Sequence, residues 1–136
     1  MKTGNDFSNT FSVAVLRGDV LSVDCPAREI LKHMTSRWGG LVLVILQGGV
    51  HRFSELRHKI GGISEKMLSQ TLQRLEFDGL IKRKSLPVVP PHVEYSLTPL
   101  GEEAAEHLKN MIDWIETKLP QILLWRRSQL DTQADD

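Results

Sequence analysis

Four polar residues fall on one side of a single amphipathic segment: Lys66, Gln70, Gln73 and, at its edge, Arg74. At about 100° per residue they stand opposite Leu68, Leu72 and Leu75, which form a buried stripe. Ser69 lies on one flank of that face, and Met67 and Thr71 lie on the other. No carboxylate sits at its centre. Amide and cationic groups at this spacing suit the edges of bases in a major groove, where Gln pairs with adenine at two points and Lys or Arg pairs with guanine. The bland alternative is a solvated helix face, since Lys and Gln are common there. What surrounds the segment decides between the two.

Ser64 stands where a cap is needed at the start of this helix, which runs to Asp78-Gly79. A shorter segment precedes it, with Ser54 as the expected cap and Leu56 and Ile60 as its apolar side. Gly61-Gly62 makes the turn between them. Helix, short glycine turn, helix is the helix-turn-helix pattern. Two β-rich runs follow, Ile81–Leu86 and Val93–Leu97, around a tip containing Pro87, Pro90 and Pro91, which reads as a β-hairpin or wing. Lys82, Arg83 and Lys84 make its first strand basic, and alternation puts Lys82 and Lys84 on one face. His92 stands across the tip. A basic hairpin can lie along phosphates; otherwise it is a charged edge strand that resists aggregation.

The 136 residues carry no net charge, but the charge is unevenly spread. Residues 25–84 hold eleven basic and five acidic side chains, and residues 85–136 hold four basic and nine acidic. A basic middle and an acidic tail are expected of a chain with one anion-facing side. Residues 1–24 hold two basic and three acidic side chains and place Phe7, Phe11 and Val15 at helical spacing. From Cys25, Pro26 suits a helix start, with Ala27, Ile30, Leu31 and Met34 as its apolar face. Trp38 opens the run Leu41–Leu46, which is apolar all round and so expected to be buried. Gly39-Gly40 weakens this helix and Gly48-Gly49 stops it. Thr98-Pro99 begins a last helix with Leu100, Ala104, Leu108, Met111, Ile112, Ile115 and Leu119 as a long stripe. Pro120 is expected to break or kink it, with a further turn or two carrying Ile122, Leu123 and Trp125, and DTQADD is expected to fray. The stripe, with Trp114 and Trp125, exceeds what a small core needs and reads as a dimer contact.

The expected architecture is mainly α with a small β-hairpin (α+β), a winged helix-turn-helix in a single domain spanning 1–136. Residues 1–24 form an N-terminal arm, 25–98 a DNA-binding core and 99–128 a C-terminal dimerisation helix. No run approaches the length of a membrane helix. The opening residues do not read as a signal peptide, and one cysteine fits a reducing compartment, so a cytoplasmic location is expected. The histidines His33, His51, His58, His92 and His107 lack metal-ligand spacing, and no phosphate loop, nucleophile elbow or paired-acid motif appears. Neither a cofactor nor catalysis is expected.

These stretches together resemble the HxlR-type branch of bacterial winged-helix regulators, related in fold to MarR-type proteins. The matching residues are Cys25-Pro26, Trp38 with its apolar run, RFSELRHKIGGIS at 52–64, MLSQTLQRLEFDGLIKR at 67–83 and PPHVEYSLTPLG at 90–101. The resemblance covers about residues 25–118. It implies a winged helix, a homodimer built by N- and C-terminal helices, and control of genes through double-stranded DNA, with residues 63–78 as the recognition helix. Two-fold symmetry then implies a near-palindromic operator. Lys66, Gln70, Gln73 and Arg74 would face the groove, Ser54, Arg57, Lys82, Arg83, Lys84 and His92 would hold the backbone, and Ser64 and Ser69 are further DNA-binding candidates. Some members of the family are thiol or electrophile sensors that use a cysteine near this Cys-Pro position. That makes Cys25 a candidate redox sensor, against the plainer reading of a semi-buried capping residue. A winged-helix protein-interaction module without DNA binding remains the alternative, as does a small-molecule site in the seam between Trp38 and the last helix.

Overall fold

The structure, a computed structural model, describes residues 17–135. The N-terminal helix expected around Phe7, Phe11 and Val15 lies outside the described residues. Helix α1 (Pro26–Thr35) starts where the sequence indicates, with Cys25 in extended conformation before it and Pro26 in its first turn. Glu29 in that turn and Lys32 and His33 in the last one complement the helix dipole.

Helix α2 (Gly39–Leu46) follows after three residues. Its glycines are required by close approach. A Cβ on Gly39 would lie 2.1 Å from the carbonyl oxygen of His33, and one on Gly40 would lie 3.0 Å from that of Met34. Only glycine lets α2 begin against the end of α1, which offsets the poor helix propensity of the pair. Val42, Leu43 and Leu46 are buried, but Leu41 is exposed and Val44 and Ile45 are partly so. The run is therefore not buried all round. Gly49, at φ +121°, turns the chain out of the helix.

Strand β1 (His51–Arg52) was not anticipated; two residues are too short for an alternating pattern to show. His51 is buried, its Nδ1 bonded to the carbonyl oxygen of Gly49 at 2.7 Å and its Nε2 2.7 Å from the Lys59 ammonium, which donates to it. Helix α3 (Phe53–Lys59) begins at Arg52, not at Ser54 as expected. The Glu55 carboxylate accepts from the Arg52 backbone N–H at 2.7 Å, and that bond holds the Glu55 pKa below the usual carboxylate range. An acidic residue three positions into the helix outcompetes the serine because it reaches back to an otherwise unpaired N–H. Helix α4 (Glu65–Phe77) does start at Ser64, whose Oγ accepts from Met67 N at 3.1 Å. It ends at Asp78, and Gly79 leaves it at φ +78°.

Strands β2 (Ile81–Leu86) and β3 (His92–Leu97) pair antiparallel from Ile81–Leu97 to Leu86–His92. β1 adds to the other edge of β3, with His51 opposite Tyr95, so the sheet order is β1-β3-β2. One core joins Val42, Leu43, Leu56, Leu68, Leu72, Leu75, Ile81, Tyr95, Ala105 and Leu108. Helix α5 (Pro99–Asp135) is locked to it at one end: Thr98 Oγ1 donates to the Gly79 carbonyl at 2.6 Å and accepts from Gly101 N at 3.0 Å. The helix continues through Pro120 to Asp135, beyond the expected end near residue 128. Proline removes one N–H and crowds one carbonyl, but this stretch is exposed, so water can satisfy what the ring leaves unpaired. Past its first three turns α5 carries exposed Met111, Trp114, Ile115, Leu119, Leu123, Leu124, Trp125 and Leu130. No described helix is long and apolar enough to cross a membrane.

Candidate nucleic-acid interface

Helix α4 is held by its apolar stripe: Leu68, Leu72 and Leu75 are almost wholly buried. That anchoring turns Lys66 and Gln73 fully outward, with Ser69 and Gln70 half-exposed beside them. Thr71, expected on the flank, is buried and its hydroxyl donates to the Met67 carbonyl at 2.8 Å. Arg74 is exposed but leans to the α1 side, where it lines a small cleft with Glu29, Lys32, His33, Ser36 and Thr71.

Around the helix the expected backbone-facing residues divide. Ser54 is exposed in the groove that α3 and the glycine turn form with the start of α4, and Ser64 is exposed while its Oγ caps α4. Arg57 donates to Glu65 at 3.0 Å, an exposed ion pair tying α3 to α4. On the wing, Lys82 and Lys84 sit opposite Ser96 and Glu94, while Arg83 sits opposite Tyr95. Directly paired residues share a face, so Lys82 and Lys84 do point together. Arg83 rises on the other face, over the core, with Nη1 3.4 Å from Ser85 Oγ. His92 is half-buried with Nε2 turned to Glu94, 3.6 Å from its carboxylate and without a hydrogen bond.

One residue pair had no signal in the sequence. His33 Nδ1 donates to Asp78 Oδ2 at 2.6 Å, both side chains largely buried, and so binds α1 to the C-terminal cap of α4. The partners are 45 residues apart, and neither belongs to a local motif. A short charge-assisted bond of this kind is worth about 1.5–3 kcal/mol. Asp78→Ala is expected to lower unfolding free energy by about 2 kcal/mol in urea titration, and His33→Ala by a similar amount. Independent, additive losses in the double variant would show that the bond contributes nothing.

Cys25 is half-buried, and its Sγ accepts from Asp19 N at 3.3 Å. Among the described residues no three His, Cys, Asp or Glu side chains converge as a metal site.

An outward polar helix between a glycine turn and a basic hairpin is the geometry of a DNA-reading winged helix. The family model described as HxlR-like helix-turn-helix matches residues 33–122. The chain belongs to the HxlR family. Among its relatives is the HTH-type transcriptional regulator YtfH of Escherichia coli (strain K12), 57% identical over 117 residues, which span 86% of this chain and 93% of that protein. The solved structure of the transcriptional regulator ytfH from Salmonella typhimurium is similar with a TM-score of 0.78 and 59% identity, over 82% of this chain and 99% of that one. The redox regulator HypR in its oxidized form is similar with a TM-score of 0.63 and 34% identity, over 68% and 96%. This HxlR-family chain is a transcriptional regulator with a helix-turn-helix DNA-binding fold.

Proposed function

We propose that the chain acts in the cytoplasm as a homodimeric repressor of a near-palindromic operator. The carrying observation is the outward face of α4, where Lys66, Gln70 and Gln73 project with no carboxylate among them while Leu68, Leu72 and Leu75 anchor the opposite side. Lys66, Ser69, Gln70, Gln73 and Arg74 read base edges. Ser54, Arg57, Ser64, Lys82, Arg83, Lys84 and His92 serve the backbone, with Lys82 and Lys84 the leading pair because they share one face. The exposed apolar side of α5 joins two copies, and the two α4 helices then meet the major groove about 34 Å apart. Occupying a promoter this way blocks transcription.

The division of labour is testable by fluorescence anisotropy. Gln70→Ala and Gln73→Ala are each expected to cost about 1–3 kcal/mol on operator DNA and little on a scrambled duplex. Lys84→Ala is expected to weaken both duplexes alike and to flatten the dependence of affinity on salt. Equal losses on both duplexes from all three variants would refute the assignment.

Release from the operator by an electrophile or oxidant acting at Cys25 is the second part of the reading. It is supported by the thiol's place at the start of α1 and by the likeness to the redox regulator HypR. Cys25→Ser is expected to bind operator normally and to stay bound when diamide is added. Release of the variant at the same diamide concentration as the native protein would remove Cys25 from the mechanism.

A further inference from the structure

The cleft between α1 and the recognition helix is polar, about 230 Å³ in volume and lined by Glu29, Lys32, His33, Ser36, Thr71 and Arg74. Half of that lining is already committed. His33 is bonded to Asp78, Ser36 Oγ lies between the His33 carbonyl and Gly39 N, and Thr71 donates to the Met67 carbonyl. The other three are charged, and none of them forms an ion pair among the described residues. Lys32 and Arg74 are left as donors, and Glu29 as an acceptor.

We infer that this cleft binds a small organic carboxylate that also carries a hydrogen-bond donor, and that its occupancy weakens operator binding. This rests on the operator-reading role of α4. Two cations against one carboxylate favour an anion, and the planar guanidinium of Arg74 can hold a carboxylate at two points. Glu29 accepts from the ligand's donor and disfavours a second negative group there. The volume lies below that of drug-sized sites, which sets the scale at one small ring or a short chain. Arg74 supplies the coupling. It stands at the edge of the groove-facing side of α4, and a guanidinium forked onto a ligand carboxylate is withdrawn from a base or phosphate. Ligand and operator therefore compete for one side chain, and each lowers affinity for the other by the same factor.

Mandelate, a carboxylate with a hydroxyl beside it, is the probe, and methyl mandelate is its neutral control. Amide NMR of the DNA-free chain is expected to show saturable shifts centred on Lys32, Ser36, Thr71 and Arg74 with mandelate and none with the ester. Lys32→Gln is expected to abolish the shifts. In anisotropy titrations, saturating mandelate is expected to weaken operator binding about fivefold or more. Lys32→Gln, which replaces none of the residues assigned to the operator, is expected to bind operator as the native chain does and to ignore mandelate. Absent shifts, equal shifts with the ester, or shifts that survive in Lys32→Gln overturn the site. Unchanged operator affinity at saturation overturns the coupling. Because the NMR arm contains no DNA, a chain that binds mandelate at these residues but binds no operator would overturn the operator reading and leave the site standing.

Discussion

Replacing Ile115 and Leu119 together by glutamate is expected to leave the chain monomeric and to lower operator affinity about 100-fold or more. α5 has 37 residues, about 55 Å at 1.5 Å per residue. Only its first turns meet the core, through Gly101, Ala104, Ala105 and Leu108. Ile115 and Leu119 continue that same side of the helix, since both lie within about 40° of the Gly101 direction, yet both are exposed. A stripe that begins as core and carries on uncovered needs a partner surface, and a second copy offers the matching stripe by symmetry. Two carboxylates placed there would have to be desolvated in the dimer but remain in water in the monomer. A monomer reaches one half-site only, so the gain from joining two binding events is lost. Size-exclusion chromatography with light scattering and an operator titration read the two effects. A double variant that remains dimeric would assign the dimer contact elsewhere.

Gly101→Ala is expected to destabilise the fold by about 3 kcal/mol or more, lowering Tm by about 10 °C. The added Cβ would lie 1.8 Å from the carbonyl oxygen of Leu80 and 2.8 Å from its carbon. Both are backbone atoms, and that carbonyl already accepts from Thr98 N at 3.1 Å. Nothing flexible can yield, so α5 must lift from the strand that leaves α4. Gly61→Ala is the control. No atom lies within 4 Å of a Cβ there, so the change is expected to be neutral or to stabilise by about 0.5 kcal/mol. Similar losses at both positions would contradict the close packing of α5 on Leu80.

The helix-turn-helix was legible because its determinants are close in sequence: Ser64 as cap, Gly61-Gly62 as turn, and Leu68, Leu72 and Leu75 at helical spacing. The wing was legible from its β-rich runs, and β2 proved to cover the residues expected. What escaped depends on separation or on water. His33 and Asp78 meet only after the core forms. β1 exists because β3 offers an edge to His51 and Arg52, not because two residues favour a strand. Pro120 reads as a break in sequence, but an exposed helix tolerates one unpaired carbonyl. At α3, Ser54 matched the preferred cap type, but Glu55 reaching back to Arg52 N starts the helix two residues earlier. At the interface, the α4 face was legible from angle alone. The pairing of Arg57 with Glu65 and the turn of His92 toward Glu94 were not, since both need coordinates.

Sequence-specific reading of DNA by α4 is what separates a regulator from a protein-interaction module. It is tested most directly by titrating the native chain, by fluorescence anisotropy, against the DNA upstream of its own gene and against a scrambled duplex of equal length, at two salt concentrations. Binding is expected to be at least about 1,000-fold tighter to the first duplex, with affinity for both falling as salt rises. Equal affinity for the two duplexes at both salt concentrations would contradict it.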